Sequence, residues 1–230
     1  LGPGVDYDYE WLSVYTFQCR RMARFLHSRV IFLGDAAQVV SPFGARGCNG
    51  GLQQADNLGW KLDRVLSGRA PVSLLESYDL EAGMIADENI KNSSRSTDFM
   101  TPKTKTAAIF RNAVLDLSRR YAFARPFVNS GRLSAPVPYR NSPLSSDNEG
   151  FSAGPQPGMV APDAPVTARS GEPWLLSHLG DDFVLLLFGT AAEQFMRLED
   201  RFKGEARIVS VAGAGADLVD AEALAAARYG

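Results

Sequence analysis

The chain has 230 residues, 45% hydrophobic and 22% charged, with a formal net charge of -2 at pH 7. That composition offers neither the basic footprint of a nucleic-acid binder nor the apolar run of a membrane span. Cys19 and Cys48 stand at no metal-type spacing and make no disulfide framework, and LGPGVDYDYEWL lacks the regions of a signal peptide, so a reduced, cytoplasmic setting is expected.

In chain order, WLSVYTFQCRRMARF (11–25) predicts a strand from its β-branched and aromatic residues. RVIFLGDAA (29–37) predicts a short buried strand that stops at Gly34. Leu52, Ala55, Leu58, Leu62 and Val65 then fall at helical spacing, with Gly68 as the stop. Ser73 and Glu76 have the spacing of a capping box, and Leu75, Tyr78, Ala82 and Ile85 mark the inner face of the helix behind them. Residues 105–123 predict a further helix through Phe110, Val114, Leu117 and Tyr121.

Residues 130–173 are rich in proline, glycine and serine and predict a long connection. Beyond it, DFVLLLFG, AAEQFMRLEDRF, ARIVSVAG and LVDAEALAAARY alternate as a β-α-β-α unit, which argues for a parallel strand pair. The fold class expected is therefore α/β.

Residues 34–51 concentrate glycine at 34, 44, 47, 50 and 51, between a predicted strand and a predicted helix. Backbone without Cβ atoms admits a flat or charged ligand closely, and a helix start presents unpaired N–H groups and a positive dipole end. Asp35 stands where the strand ends and can accept hydrogen bonds from sugar-type hydroxyls. The spacing matches neither the phosphate-binding P-loop nor GxGxxG, and glycines kept for packing alone are the plainer alternative.

GDAAQ, SPFGARGCN and QADNLGWKL together resemble the second FAD-binding signature of the para-hydroxybenzoate-hydroxylase-like, single-component aromatic flavoprotein monooxygenases. YTFQCRRMARFLHSRVIFLGDAA resembles the substrate-side strand that leads into that signature. PVPYRNSPLS and PGMVAPDAPV resemble the linker and C-terminal thioredoxin-like domain of the subgroup that hydroxylates phenols, phenylpropionates and polyketides.

The resemblance implies the C-terminal part of an FAD-binding domain over 1–130, a linker over 131–158 and a thioredoxin-like domain over 159–230. It implies FAD as cofactor, NADPH or NADH as reductant, and hydroxylation of an aromatic substrate with O2. By the same resemblance, Gly34, Asp35, Pro42, Gly44, Gly47, Cys48 and Asn49 are the cofactor-binding residues, with Asp35 on the ribityl chain. Pro42 is expected beside the reactive flavin edge, and Gly47, Cys48 and Asn49 at its pyrimidine end. Arg46 is either a cation assisting there or a solvated loop residue. Tyr15, Phe17 and Gln18 are candidates to line a substrate pocket. No metal, nucleic acid or membrane is expected.

Gln38 replaces the family's usual histidine, which is expected to tune the site. Cys48 reads as a small loop residue and Cys19 as a packed strand residue, and His27 and His178 read as structural. GxGxxG is absent from the sequence, and the second domain carries no Cys-x-x-Cys. The expectation is thus a C-terminal portion whose N-terminal FAD-binding segment lies in the same protein or a separate chain, with a homodimer as another way to cover an exposed edge. A non-catalytic binding or assembly subunit is the alternative function.

Overall fold

The computed structural model describes residue 4, residue 6 and residues 8–128, 136–146, 153–168, 171–180, 182–189, 192–212 and 215–230 (for 192–195 the backbone alone). Parts of the expected 130–173 connection therefore lie outside the described residues. The chain divides into two compact units, Leu1–Val137 and Pro138–Gly230.

The first unit opens with four two-residue strands, β1 (Arg20–Arg21), β2 (Leu26–His27), β3 (Val30–Ile31) and β4 (Gln38–Val39). β1 pairs antiparallel with β4, Arg20 opposite Val39. β2 and β3 form a hairpin whose turn holds Ser28 at a positive φ of 55°. The expected strand over 11–25 is thus realised only at Arg20–Arg21, and that over 29–37 only at Val30–Ile31. A strand exists only where a neighbour completes its ladder. Trp11, Leu12, Val14, Tyr15 and Phe17 find none among the described residues and stand exposed. Cys19 is half-buried and precedes β1, not packed within a strand.

Two long helices follow. α1 (Gly47–Leu66) begins earlier than its apolar spacing suggests, because Gly47, Gly50 and Gly51 are helical despite their poor propensity. Gly68, at φ 72°, ends it through a bond from its N–H to the Val65 carbonyl. α2 (Leu74–Met100) runs back antiparallel. The capping box does not form: Ser73 is itself helical at φ -59° and ψ -18°, and its side chain caps nothing. Leu75, Tyr78, Ala82 and Ile85 are all buried, as the spacing predicts.

Phe25, Ala37, Leu58, Leu75, Tyr78, Ala82 and Ala86 form the core between these helices and the short strands. Leu52 and Ala55 are exposed instead, and Gln54, Asn57 and Lys61 turn inward. Lys61 Nζ lies 2.5 Å from Glu81 Oε2, and Asn57 bridges both, donating to Glu81 at 2.6 Å and accepting from Lys61 at 2.9 Å. Burial lowers the Lys61 pKa against the opposing pull of Glu81. Tyr78 donates to the Phe32 carbonyl at 2.8 Å and so ties α2 to the chain ahead of Gly34. Asp79 accepts from the N–H groups of Phe25, at 2.5 Å, and Leu26, at 3.0 Å.

α3 (Lys105–Arg120) starts at a true cap, where Thr104 accepts from the Ala107 N–H at 3.1 Å. It stops before residue 123, and of its expected inner face only Val114 is buried; Phe110 and Tyr121 are exposed. α4 (Arg125–Val128) is a single turn.

In the second unit, β5 (Thr167–Ala168), β6 (Val184–Phe188), α5 (Ala192–Arg201), β7 (Arg207–Ala212), β8 (Leu218–Val219) and α6 (Leu224–Tyr229) build a four-stranded sheet of order β5-β8-β7-β6. β6 and β7 are parallel, as the β-α-β reading requires, and β8 continues the parallel set. β5 joins antiparallel at the other edge. LVDAEALAAARY is not one helix: its first two residues are β8, and Asp220 then caps α6 by accepting from Ala225 and Ala226 N–H groups at 3.1 and 2.8 Å. Val166, Leu175, Val209, Val211, Leu218 and Ala225 form this unit's own core.

Two stability predictions follow from the first unit. Lys61→Met strands a buried carboxylate and should lower stability by about 3–5 kcal/mol in urea unfolding, whereas Lys61→Met with Glu81→Leu should recover most of it. Burial opposes charge on Asp79, but the Phe25 and Leu26 N–H groups and Arg24 hold its carboxyl below the ordinary range. The stabilisation it brings is present above the ordinary carboxylate pKa and is lost as pH falls through the depressed value. Asp79→Asn should therefore flatten the acid limb of the stability curve, read by equilibrium unfolding at successive pH values.

Candidate functional site

Gly34–Ala36 form one 3-10 turn, with Gly34 at φ 57°. The Gly34 N–H donates to Gln54 Oε1 at 2.8 Å, and its carbonyl accepts from Ala37 at 3.0 Å. A Cβ at Gly51 would lie 3.5 Å from the Gly34 Cα, so the turn rests directly on α1. Asp35, which begins far from the helix in sequence, is thereby brought to the helix start. It is exposed, and its carboxylate takes no hydrogen bond among the described residues.

The loop between β4 and α1 is fixed from below. Ser41 is buried; its N–H donates to Cys19 Sγ at 3.3 Å and its hydroxyl accepts from Thr97 Oγ1 at 2.8 Å. The Ala45 N–H closes a turn on the Pro42 carbonyl at 3.0 Å, with Gly44 at φ 114° and Ala45 at φ 51°. That turn aims the chain into α1 with no side-chain cap at Arg46. Gly50 donates to the Arg46 carbonyl at 3.0 Å, whereas the N–H groups of Gly47, Cys48 and Asn49 have no hydrogen-bond partner among the described residues. The Asn49 side chain folds back to the Ala45 carbonyl at 2.9 Å and stiffens the loop without covering them.

Arg46 is not a solvated loop residue. It is 5% exposed, and its Nη1 donates to Asn89 Oδ1 of α2 at 3.3 Å. A fixed cation thus lies beneath a helix start that already carries the positive end of its dipole. Gln38, expected only to tune the site, is 2% exposed within β4. A Cβ on Gly50 would collide with Asn89 Nδ2 and lie 2.8 Å from Gln38 Nε2, so a side chain is excluded where the first turn of α1 sits on these amides.

Beside the loop lies an aromatic row. Phe17 meets Phe43 edge-on with ring centres 5.6 Å apart, and Tyr15 stacks on Phe17 at 6.4 Å. Two of the three pocket candidates therefore flank the loop, and Gln18 is exposed without a described contact to it. Cys48 is exposed at the helix start. His27 and His178 each bond a backbone carbonyl, those of Arg24 and Glu172, at 3.0 and 2.9 Å, a structural use.

Apolar periodicity misses Gln54, Asn57, Lys61, Glu81 and Asn89, because it assigns polar residues to the solvent face. The signal present was that Gln54, Asn57 and Lys61 belong to QADNLGWKL, the part of the resemblance that lies beyond the glycine-rich loop. Gly50→Ala is a sharp check on the packing. In an open helix the exchange stabilises by up to about 1 kcal/mol. Here it should destabilise by about 1–3 kcal/mol through overpacking, measured by urea unfolding.

Residues 2–93 match the family model described as FAD binding domain, which spans the turn, the loop, α1 and most of α2. The chain is 30% identical over 200 residues to 6-methylpretetramide 4-monooxygenase of Streptomyces rimosus, covering 81% of this chain and 35% of that protein. It is 37% identical over 108 residues to 3-(3-hydroxy-phenyl)propionate/3-hydroxycinnamic acid hydroxylase of Comamonas testosteroni, covering 47% of this chain and 18% of that protein. Among solved structures, the anhydrotetracycline hydroxylase OxyS of Streptomyces rimosus superposes with a TM-score of 0.65 at 26% identity, over 84% of this chain and 37% of that one. The chain thus spans about a third or less of the curated relatives named here. In residues 2–93 the chain carries a FAD binding domain match, and its relatives are aromatic and polyketide monooxygenases.

Proposed function

We propose that this chain is the part of an FAD-dependent aromatic monooxygenase that holds the ring end of the flavin. The observation that carries it is the row of unpartnered N–H groups at Gly47, Cys48 and Asn49, at a helix start with no side-chain cap. The fit to a flavin is chemical. A planar ring edge with carbonyl oxygens takes hydrogen bonds from such a row, and the helix dipole and buried Arg46 favour the negative charge of its reduced form. Gly34 and Gly44 give bare backbone beside it, Asp35 offers an acceptor for the ribityl hydroxyls, and Pro42 is an exposed, rigid apolar wall without an N–H. When bound, FAD supplies the electron transfer and oxygen activation, with NADPH or NADH as reductant.

The chain's own residues position and shield. Tyr15, Phe17 and Phe43 form an apolar, aromatic flank suited to a phenolic or polyketide-like ring, and RebC and aklavinone-11 hydroxylase, both similar in fold, come from structures with flavin or FAD. The remaining FAD contacts belong to an N-terminal FAD-binding segment, in the same protein or a separate chain. On this reading residues 1–130 serve the flavin and substrate, 131–158 link, and 159–230 form a thioredoxin-like domain with a structural role. Its strand-and-helix order β6-α5-β7-β8-α6 supports that assignment. Among the described residues, no helix is long and apolar enough to cross a membrane.

FAD titration followed by quenching of flavin fluorescence tests the assignment. Binding by the wild type and a roughly tenfold or greater weakening in Asp35→Ala is the expected result, since a hydrogen bond to a charged group contributes about 1.5–3 kcal/mol. Equal affinity in the two proteins removes Asp35 from the site, and no binding by the protein that includes the N-terminal segment overturns the function.

A further inference from the structure

The inner face of α2 changes character along its length. Around the paired Glu81, Tyr78, Ala82, Ile85 and Ala86 are fully buried and mostly apolar, but the next positions on that face are Asn89, Ser93 and Thr97. The change falls where α2 passes beneath the loop and first turn of α1. Asn89 Oδ1 accepts from Arg46, and Thr97 Oγ1 donates to Ser41 at 2.8 Å, so both ends of the loop rest on this stripe. Asn89 and Ser93 are 4% and 0% exposed, and Asn89 Nδ2 and Ser93 Oγ have no hydrogen-bond partner among the described residues.

Unpaired buried polar groups weaken a fold, and apolar side chains would fill the same space more favourably. Fold stability therefore does not explain the stripe. What the stripe does achieve is placement. Asn89 sets the height of Arg46 through one side-chain atom and meets the backbone of Gly50 with the other. Arg46 and Gly50 bracket the three unpartnered N–H groups.

We propose that Asn89 is a positioning residue: it holds Arg46 and the first turn of α1 so that the N–H groups of Gly47, Cys48 and Asn49 stay presented to the cofactor, with Thr97 securing the far end of the loop through Ser41. The role in cofactor binding rests on the flavin reading above; the placement of the loop does not.

The test pairs amide hydrogen exchange of the protein without cofactor with FAD affinity, in wild type, Asn89→Leu, Asn89→Asp and Thr97→Val. Asn89→Leu should speed exchange of the hydrogen-bonded N–H groups within 42–50, those of Phe43, Ala45 and Gly50, at least tenfold, leave residues 58–66 and 78–86 protected, and weaken FAD about tenfold. Asn89→Asp, which keeps the acceptor for Arg46, should restore both. Unchanged exchange at 42–50, or loosening spread evenly through both helices, overturns the proposal. Should Asn89→Leu not fold, the near-isosteric Thr97→Val decides by the same local pattern over 41–46. A wild type that binds no FAD with the N-terminal segment present, beside a loop that Asn89→Leu still releases, removes the flavin reading and leaves the placement by Asn89 standing.

Discussion

The seam between α1 and α2 governs everything around it. It is apolar at Leu58, Leu75, Tyr78 and Ala82, yet it is fixed by polar contacts, Lys61 and Asn57 on Glu81 toward one end and Arg46 on Asn89 at the other. Apolar contacts are tolerant of small displacements, whereas a buried ion pair is favourable only in a narrow geometry. The position of the helix start, and of the loop that feeds it, follows from where those pairs lock. The strands contribute little to this, being two residues each, and they hang on α2 through Asp79 and Tyr78.

The stretch 34–62 was the most legible part of the sequence, because glycine and proline there answer local backbone demands. Gly34 and Gly44 occupy positive φ, and Gly50 is needed for a close approach. The inner face of α2 was legible for the usual reason, an apolar period. The strands were not, since WLSVYTFQC has the right residues but a ladder depends on a partner that sequence order does not identify. Nor was the burial of Arg46, Lys61 and Gln54, because a polar residue reveals an inward orientation only through its partners. Glu81 and Asn89 sit on another helix, and nothing local in α1 points to them.

In the proposed site the division of labour is chemical. Side chains from α2 and β4 lie beneath the loop and the backbone of the loop faces outward, so the groups offered to a ligand are main-chain N–H donors. Such donors carry no titratable proton and cannot rotate away, a suitable arrangement for a partner whose own electronics carry the reaction. The variable chemistry is then left to the flank, where Tyr15, Phe17 and Phe43 are packed against each other and not into the core.

The Lys61–Glu81 pair also has a consequence for motion. One helical turn along α2 from Glu81 lie Ser77 and Ile85, neither of which can neutralise an ammonium group. A slide of α1 by one turn, about 5.4 Å, would leave Lys61 buried without an opposite charge. The two helices therefore act as a latch with a single notch. The depth at which the loop sits is thereby tied to one register of the two helices.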